Sequence, residues 1–314
     1  MRRPHPRLLA PAAVLLLATA CGTEHANQAG GADSTGGAGA AVPAPRATVT
    51  DPPVDGVRIT SVTLPTASPS PAASLGSVHA DRLPGDSGIS AAYQVGNDGD
   101  EAMTYTVFFA FTTDTGEVMG NKKVTVSGVA AGGSRNGTVD LGVLAPGASP
   151  VTRVKVQRVT KVPADEAPSE TGACPASGLR LWADDGDAAM GLRVVGLHLE
   201  NCGKRDYALD GYPRLSLLDE NREPVDGIRI RHGGAAIASG TGFDDPPAPL
   251  TLKPGESARS GLVWRNTTLA GTAVNVPYVR VVAKPGARPV TVTPELDLGT
   301  TGQLGVGAWK RADG

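Results

Sequence analysis

The chain has 314 residues, with 29 basic and 31 acidic side chains, 41 glycines, 26 prolines and 4% aromatic residues. This balance lacks the basic excess of nucleic-acid-binding proteins, so we expect no nucleic-acid partner. The many turn-forming residues favour short β-strands joined by loops and argue against a helical bundle or a large enzyme.

Residues 1–20 have the pattern of a secretion signal. Arg2, Arg3 and Arg7 precede a 13-residue apolar run at residues 8–20. A membrane-spanning helix needs roughly 20 apolar residues, so we expect this segment to direct export and then to be cleaved. Its removal leaves 26 basic against 31 acidic side chains.

Small residues stand directly before Cys21. The sequence Leu17-Ala18-Thr19-Ala20-Cys21 resembles the lipobox of bacterial lipoproteins, in which the thiol receives a diacylglycerol and the new amine is acylated, for example with palmitate. Several acyl chains give a stable anchor, since each buried methylene contributes about 0.8 kcal/mol. We predict lipidation at Cys21 and a location on the extracytoplasmic face of the cell membrane. The alternative is an ordinary cleaved signal.

Residues 21–56 are predicted to contain the lipidated cysteine and a flexible, disordered tether. Within residues 22–56, 24 of 35 residues are Ala, Gly, Pro, Ser or Thr, and no hydrophobic period is present. Such a segment cannot form a core. Fully extended, it would span about 115 Å, enough to hold folded domains within a cell wall.

Residues 57–161 are predicted to form a first β-sandwich domain. Tyr105, Val107, Phe109 and Phe111 alternate along one face, as expected for a half-buried strand. Short strands at this spacing are typical of a sandwich. A loop is expected at 66–76, and turn signals lie at 97–99, 114–116, 132–133 and 146–147.

A polar linker at residues 162–173 is predicted to precede a second β-sandwich domain at 174–311. The same alternation appears there, and its change of face between Val194 and Val195 predicts a β-bulge. No amphipathic helix longer than two turns is expected. With Cys21 lipidated, Cys174 and Cys202 remain to form one disulfide, which an exported protein can keep. The alternative is two buried free thiols.

The two predicted domains resemble each other in sequence. Residues 94–99 align with residues 198–203, each containing Asn-x-Gly, and residues 144–149 align with 252–257, each containing Pro-Gly. We interpret this as two tandem copies of one immunoglobulin-like unit. The alternative is chance similarity, because such turn sequences are common in β proteins.

Several short motifs occur through the second domain: Cys174, Asn201-Cys202-Gly203, Gly211-Tyr212-Pro213, Leu252-Lys253-Pro254-Gly255, Val263-Trp264-Arg265-Asn266 and Asp297-Leu298-Gly299-Thr300-Thr301. Together they resemble the domain of unknown function 4232, which occurs in lipoproteins and secreted proteins of actinomycete-type bacteria. The resemblance covers residues 174–311. It implies a β sandwich with one disulfide, and no catalytic residues are established for the family.

Candidate catalytic chemistry is sparse, and we predict neither a catalytic site nor a cofactor. The zinc, phosphate-loop, dinucleotide and nucleophile-elbow motifs are missing from the sequence. His79, His198 and His232 are far apart in sequence, so a triad or metal site would have to assemble by folding.

Three aspartates form a weak candidate calcium site: Asp184, Asp185 and Asp187. Calcium prefers several carboxylate and carbonyl oxygens. The favoured interpretation is a hairpin turn with solvated carboxylates, so no metal is predicted.

Two further groups of side chains are candidates for binding. Arg222, Arg229, Arg231 and His232 are interpreted as a charged edge strand rather than a phosphate-binding patch. Exposed tryptophans bind sugars, but a core position is favoured for Trp182, Trp264 and Trp309, and most strongly for Trp264.

These features predict a lipid-anchored envelope protein that acts as a non-catalytic binding or assembly module. Its expected partners are the membrane, through the lipid, and a cell-wall polymer or an envelope protein, while the ligand-binding residues stay unassigned. One alternative is an envelope hydrolase or metal-handling protein, which requires His198, His232 or the Asp184 group to converge. Another is a passive spacer.

Overall fold

The computed structural model of the protein describes residues 46–64, 86–145 and 147–312. The predicted signal, Cys21, most of the tether, His79 and the loop expected at 66–76 lie outside these residues. The regular secondary structure of the described residues consists of β-strands and one short 3-10 turn at Gly234–Ala236, which confirms the predicted all-β fold. Within the described residues, no helix is long and apolar enough to cross a membrane.

The first β region, residues 46–163, contains two antiparallel sheets that share one core. Their strand orders are β1-β2-β3-β6 and β5-β4-β7. The four alternating side chains predicted to share a face, Tyr105 to Phe111 in steps of two, are all buried in this core. The strands are β1 Arg46–Thr48, β2 Val57–Thr63, β3 Ser90–Gly96, β4 Met103–Thr112, β5 Val118–Val129, β6 Ser134–Asp140 and β7 Arg153–Pro163. The region begins at strand β1, so the predicted disordered tether at 21–56 is wrong for Arg46–Thr48, which pair with β2.

The second β region, residues 179–311, is built on a sheet with the order β13-β20-β15-β10-β8, and three smaller sheets complete it. Its pairings are antiparallel except that of β13 with β20. The strands are β8 Leu179–Ala183, β9 Asp187–Ala189, β10 Leu192–Asn201, β11 Tyr207–Leu209, β12 Arg214–Leu218, β13 Arg229–His232, β14 Leu250–Leu252, β15 Ser257–Arg265, β16 Asn275–Val276, β17 Tyr278–Val282, β18 Val290–Val292, β19 Leu296–Asp297, β20 Gln303–Val306 and β21 Lys310–Arg311.

The bulge predicted between Val194 and Val195 is wrong for strand β10. This strand pairs with β15 in an unbroken register from Leu192 to Glu200. The irregularity lies in its other neighbour, which is divided into β8 and β9 by residues 184–186. Regular alternation along β10 therefore places Leu192 and Val194 on the face opposite the core residues Val195, Leu197 and Leu199.

A buried asparagine fixes a turn in the first β region. The side-chain amide of Asn97 donates to the carbonyls of Glu101 at 2.8 Å and Val129 at 2.9 Å. Its side-chain oxygen accepts from the backbone N–H of Gly99 at 3.2 Å. One side chain thus ties the end of β3 to the end of β5.

Asn201 makes the corresponding bonds in the second β region, although the Asn97 amide has one more, to the carbonyl of Ala130 at 3.1 Å. The Asn201 amide donates to the carbonyls of Arg205 and Leu252, both at 2.8 Å, and its oxygen accepts from the N–H of Gly203 at 3.2 Å. The alignment of the two Asn-x-Gly sequences therefore corresponds to an equivalent local structure.

The second pair of aligned turns is not equivalent. The backbone N–H of Asn201 donates to Glu256, at the end of the Pro-Gly turn. The corresponding N–H of Asn97 donates to Gly133, so residues 129–133, rather than 144–149, match residues 252–256. Pro-Gly occurs in many turns, and the dipeptide alone therefore produced a false alignment.

The segment between the two β regions is held by specific contacts. Strand β7 extends to Pro163, into the predicted linker. Glu166 then accepts hydrogen bonds from the guanidinium of Arg280 and, at 2.8 Å, from the hydroxyl of Thr291. Burial alone would raise the pKa of Glu166, but these bonds outweigh it and hold the pKa below the usual value.

The two β regions lie in one compact unit and contact each other directly. Arg158 forms an ion pair with Glu295, and Arg222 forms one with Glu101 at 2.7 Å. The hydroxyl of Tyr278 accepts a hydrogen bond from the backbone of the first region at 3.3 Å. Two clefts, of about 590 and 560 Å³, lie along this contact and both include Arg158 and Glu295.

Candidate functional site

A group of aromatic and charged side chains lies on the outer face of the large sheet in the second β region. On β8 and β10, Leu181, Leu197 and Leu199 point into the core. Because side chains alternate along a strand, Trp182 and His198 point to the opposite face. We call Trp182, His198, Asp184, Glu256 and Arg311 together the Trp182 cluster.

The rings of Trp182 and His198 are stacked. The two residues are direct partners in the pairing of β8 with β10. Their ring centroids are 5.2 Å apart and their planes differ by 12°. Cross-strand pairs on one face of a sheet are close enough for such contact, and the strand register therefore holds the indole ring in a fixed orientation.

Asp184 holds the imidazole of His198 in place. Its Oδ2 lies 2.9 Å from His198 Nε2, and its Oδ1 accepts from the N–H groups of Gly186 at 3.0 Å and Gly196 at 2.8 Å. Gly196 must lack a side chain here, because a Cβ would lie 2.2 Å from Asp184 Oδ2. The aspartate therefore acts as a fixed support for the aromatic stack.

An open cleft of about 490 Å³ borders the stack and is lined by Trp182, His198, Ser257, Glu256 and Arg311, among others. Glu256 Oε2 lies 2.6 Å from Arg311 and accepts a 2.7 Å bond from the backbone N–H of Lys253. These contacts, the backbone bond first, lower the pKa of Glu256. The cleft therefore combines an aromatic surface with an ionised carboxylate, a guanidinium and a hydroxyl.

The weak calcium candidates do not converge. Asp184 is engaged by His198 and two backbone amides, Asp185 pairs with Lys123 of the first region at 3.0 Å, and Asp187 is exposed on β9. Among the described residues, no group of three or more His, Cys, Asp or Glu side chains is arranged to hold a metal ion.

The two histidines within the described residues, His198 and His232, do not form one site. His232 stacks on Tyr212 with 4.1 Å between the ring centroids. It lies on β13, whereas His198 lies on β10, three strands away in the sheet order β13-β20-β15-β10. Strands are spaced about 4.8 Å apart, so roughly 14 Å separates these strands.

The remaining candidates are divided between the surface and the core. The predicted edge strand is confirmed, because β13 ends the sheet and all its residues are exposed. Arg222 is not part of that edge, since it pairs with Glu101. Trp264 and Trp309 are each 2% exposed, which confirms their core positions. Trp182 is partly exposed, so its expected core position is wrong.

The disulfide between Cys174 and Cys202 is present, as predicted. It joins the segment before β8 to the turn that Asn201 organises. The sequence separation of 28 residues predicts roughly 3–4 kcal/mol of stabilisation in the chain-entropy description. The bond therefore secures the end of the sheet that carries the Trp182 cluster.

Comparison with known families is informative for the second β region. Residues 174–310 match the family described as a domain of unknown function, DUF4232. The predicted resemblance to DUF4232 is therefore confirmed for this part of the chain. No curated protein matches the chain.

The sequence contained a signal for the exposed position of Trp182. Leu179 and Leu181 alternate in β8, so the residue that follows Leu181 belongs to the opposite face. Its pairing with His198 depends on the register between two strands, and single-sequence patterns do not specify that register.

Proposed function

We propose that this protein is a lipid-anchored envelope protein whose two β regions are tandem immunoglobulin-like sandwiches, and that it works as a non-catalytic binding module. The observation that carries the proposal is the partly exposed Trp182–His198 stack beside an open cleft. Tryptophan side chains are enriched among the residues that contribute most to binding, and a held aromatic stack beside a cleft offers a rigid contact surface to a partner. A passive spacer has no need for such a stack.

Two features support the tandem-sandwich interpretation. In the first β region, two antiparallel sheets contribute to one core, as in sandwich folds. In both regions an asparagine makes corresponding bonds at an equivalent turn. Repetition of a buried polar arrangement at matching positions favours two copies of one unit over chance similarity.

The arrangement of Asp184 and His198 favours binding over hydrolysis. A catalytic histidine is oriented by a carboxylate so that its other nitrogen can activate a nucleophile. Here Asp184 holds the imidazole flat against Trp182. The Asp184–His198 contact resembles one that would orient a catalytic base, but here it fixes the position of an aromatic stack.

Membrane anchoring is tested with the full chain and a Cys21→Ser variant. We expect the normal protein to incorporate a palmitate analogue and to fractionate with membranes, because its acyl chains supply the anchor. The variant should accumulate unprocessed or appear in the medium. A Cys174→Ala/Cys202→Ala variant is the control and should keep the label. Unchanged membrane retention of the Cys21→Ser protein would contradict the anchor.

A further inference from the structure

We infer that the Trp182 cluster is a binding site for an uncharged saccharide of the cell envelope. This inference rests on the proposed function, because it names the ligand class of the binding module. It follows from the orientation of one indole ring, the charge balance around it and the size of the adjacent cleft.

The indole of Trp182 differs from the other two in the chain. Trp264 donates its ring N–H to Asp297 at 2.7 Å, Trp309 donates to the carbonyl of Ala283 at 2.9 Å, and both rings are in the core. Trp182 is partly exposed and borders two clefts. His198 covers one face of its ring, and the exposed part of the indole borders these clefts.

A flat aromatic surface of this kind suits a sugar ring. The C–H groups on one side of a pyranose form an apolar face that packs against an aromatic ring, while its hydroxyls point outward to polar partners. Asp184, through His198, fixes the orientation of Trp182 before any ligand arrives. Such preorganisation reduces the entropy lost on binding.

The polar groups of the cleft can satisfy the sugar hydroxyls. Glu256 accepts hydrogen bonds, Arg311 donates them, and the Ser257 hydroxyl does both. The cleft volume of about 490 Å³ falls within the range of roughly 300–1,000 Å³ typical of small-molecule sites.

The charge balance of the cluster selects against an anionic ligand. Arg311 is paired with Glu256 at 2.6 Å, and Asp184 adds another carboxylate beside His198. Arg259, the cross-strand partner of His198, also lies on this face and has Asp245 as an acidic neighbour. A phosphate group would therefore meet two carboxylates, and the nearby guanidiniums already have acidic neighbours. An uncharged sugar meets hydrogen-bonding groups without this repulsion.

Binding is measured by calorimetry on the mature chain carrying Cys21→Ser. The probes are a β-1,4-linked N-acetylglucosamine tetrasaccharide, maltotetraose and inorganic phosphate. We expect saturable binding of at least one saccharide, with a Kd of about 10 µM to 1 mM, and none of phosphate. Saturable binding of phosphate with no saccharide bound would overturn the inference.

Matched variants locate the site. Trp182→Ala should weaken saccharide binding at least tenfold, and His198→Ala severalfold, because it frees the indole. Tyr212→Ala, which removes the other stacked aromatic–histidine pair, should leave the Kd unchanged. Thermal unfolding checks that each variant is folded. An unchanged Kd for folded Trp182→Ala would show that the saccharide binds elsewhere.

Retention of the same proteins on isolated cell envelope separates this inference from the proposed function. If wild-type and Trp182→Ala chains are retained equally and neither binds the saccharides, the module binds the envelope by another surface and the saccharide site is wrong. If the wild-type chain is not retained, the proposed binding function itself fails.

Discussion

The two β regions carry different side-chain pairs at the same place in the sheet. Gln94 lies three residues before Asn97 in the first region, and His198 lies three residues before Asn201 in the second. Gln94 accepts a 3.0 Å hydrogen bond from its cross-strand partner Arg58, whereas His198 stacks on its partner Trp182. A common backbone therefore supports a hydrophilic pair in one region and an aromatic surface in the other.

The turn that follows shows the same kind of difference. The middle residue of Asn-x-Gly is Asp98 in the first region and Cys202 in the second, where it forms the disulfide. Side chains at the turn and on the outer face can change without altering the bonds of the asparagine. Among the described residues, the disulfide and the Trp182–His198 stack both belong to the second region, and the following predictions test this division.

Loss of the disulfide should produce the largest effect. A Cys174→Ala/Cys202→Ala protein should be destabilised by about 3–4 kcal/mol, because the unfolded chain regains the freedom of a 28-residue loop. Urea unfolding measures the change. Asp98→Ala, at the matching turn of the first region, is the control and should shift stability by less than about 0.5 kcal/mol. Equal effects would contradict the proposed difference between the turns.

Replacing either buried asparagine should lower the free energy of unfolding by nearly as much as loss of the disulfide. Asn97→Ala leaves three backbone carbonyls without their amide donor, and Asn201→Ala leaves two. Each variant should therefore lose about 3 kcal/mol of stability. Chemical denaturation of the two variants compares them directly. A loss below about 1 kcal/mol in only one variant would mean that the two turns are not energetically equivalent.

Weakening the contact between Glu166 and the second region should reduce stability by a smaller amount that depends on pH. Glu166→Gln should destabilise the protein by about 1–2 kcal/mol at neutral pH, since it weakens charge-assisted bonds from Arg280. The folded-state pKa of Glu166 is lowered, so its contribution is present above the unfolded-state pKa and is lost as the pH falls through the folded-state value.

Stability measured from pH 7 down to about pH 2 tests this sign. The difference between wild type and Glu166→Gln should shrink towards acid pH. The exposed neighbour Glu170, changed to Gln, is the matched control and should show little difference throughout. A difference that stays constant or grows in acid would show that ionisation of Glu166 does not stabilise the fold.

The smallest effect is expected for the exposed ion pair between the regions. Lys123→Ala removes the partner of Asp185, whose side chain is 94% exposed. Such pairs contribute about 0–1 kcal/mol and are screened by salt. The wild-type and variant unfolding midpoints should therefore coincide at high ionic strength. A loss above 2 kcal/mol would indicate that this pair is a main contact between the regions.

Local patterns predicted part of this molecule well. Alternation from Tyr105 to Phe111 identified a strand and its buried face, and cysteine count with the expected export identified the disulfide. The strand follows from residues that are neighbours in sequence, and the disulfide follows because only two cysteines remain once Cys21 is assigned to the lipid. The match of two Pro-Gly turns failed, because short turn sequences recur at unrelated positions.

Contacts between residues far apart in the chain could not be predicted from the sequence. Glu166 and Arg280 are 114 residues apart, and their contact depends on how the two regions pack. The stack of Trp182 on His198 depends on strand register, which many sequence patterns permit. A single sequence therefore indicated the strands of the candidate site but not the side chains that meet there.

Retention on purified cell envelope is the most direct test of a binding role for the Trp182 cluster. The mature Cys21→Ser chain and its Trp182→Ala variant are sedimented with the envelope material at low and high salt. We expect wild-type retention that survives high salt, is lost in the variant, and is displaced by soluble saccharide. Equal sedimentation of the two proteins, or none of the wild type, would contradict that role.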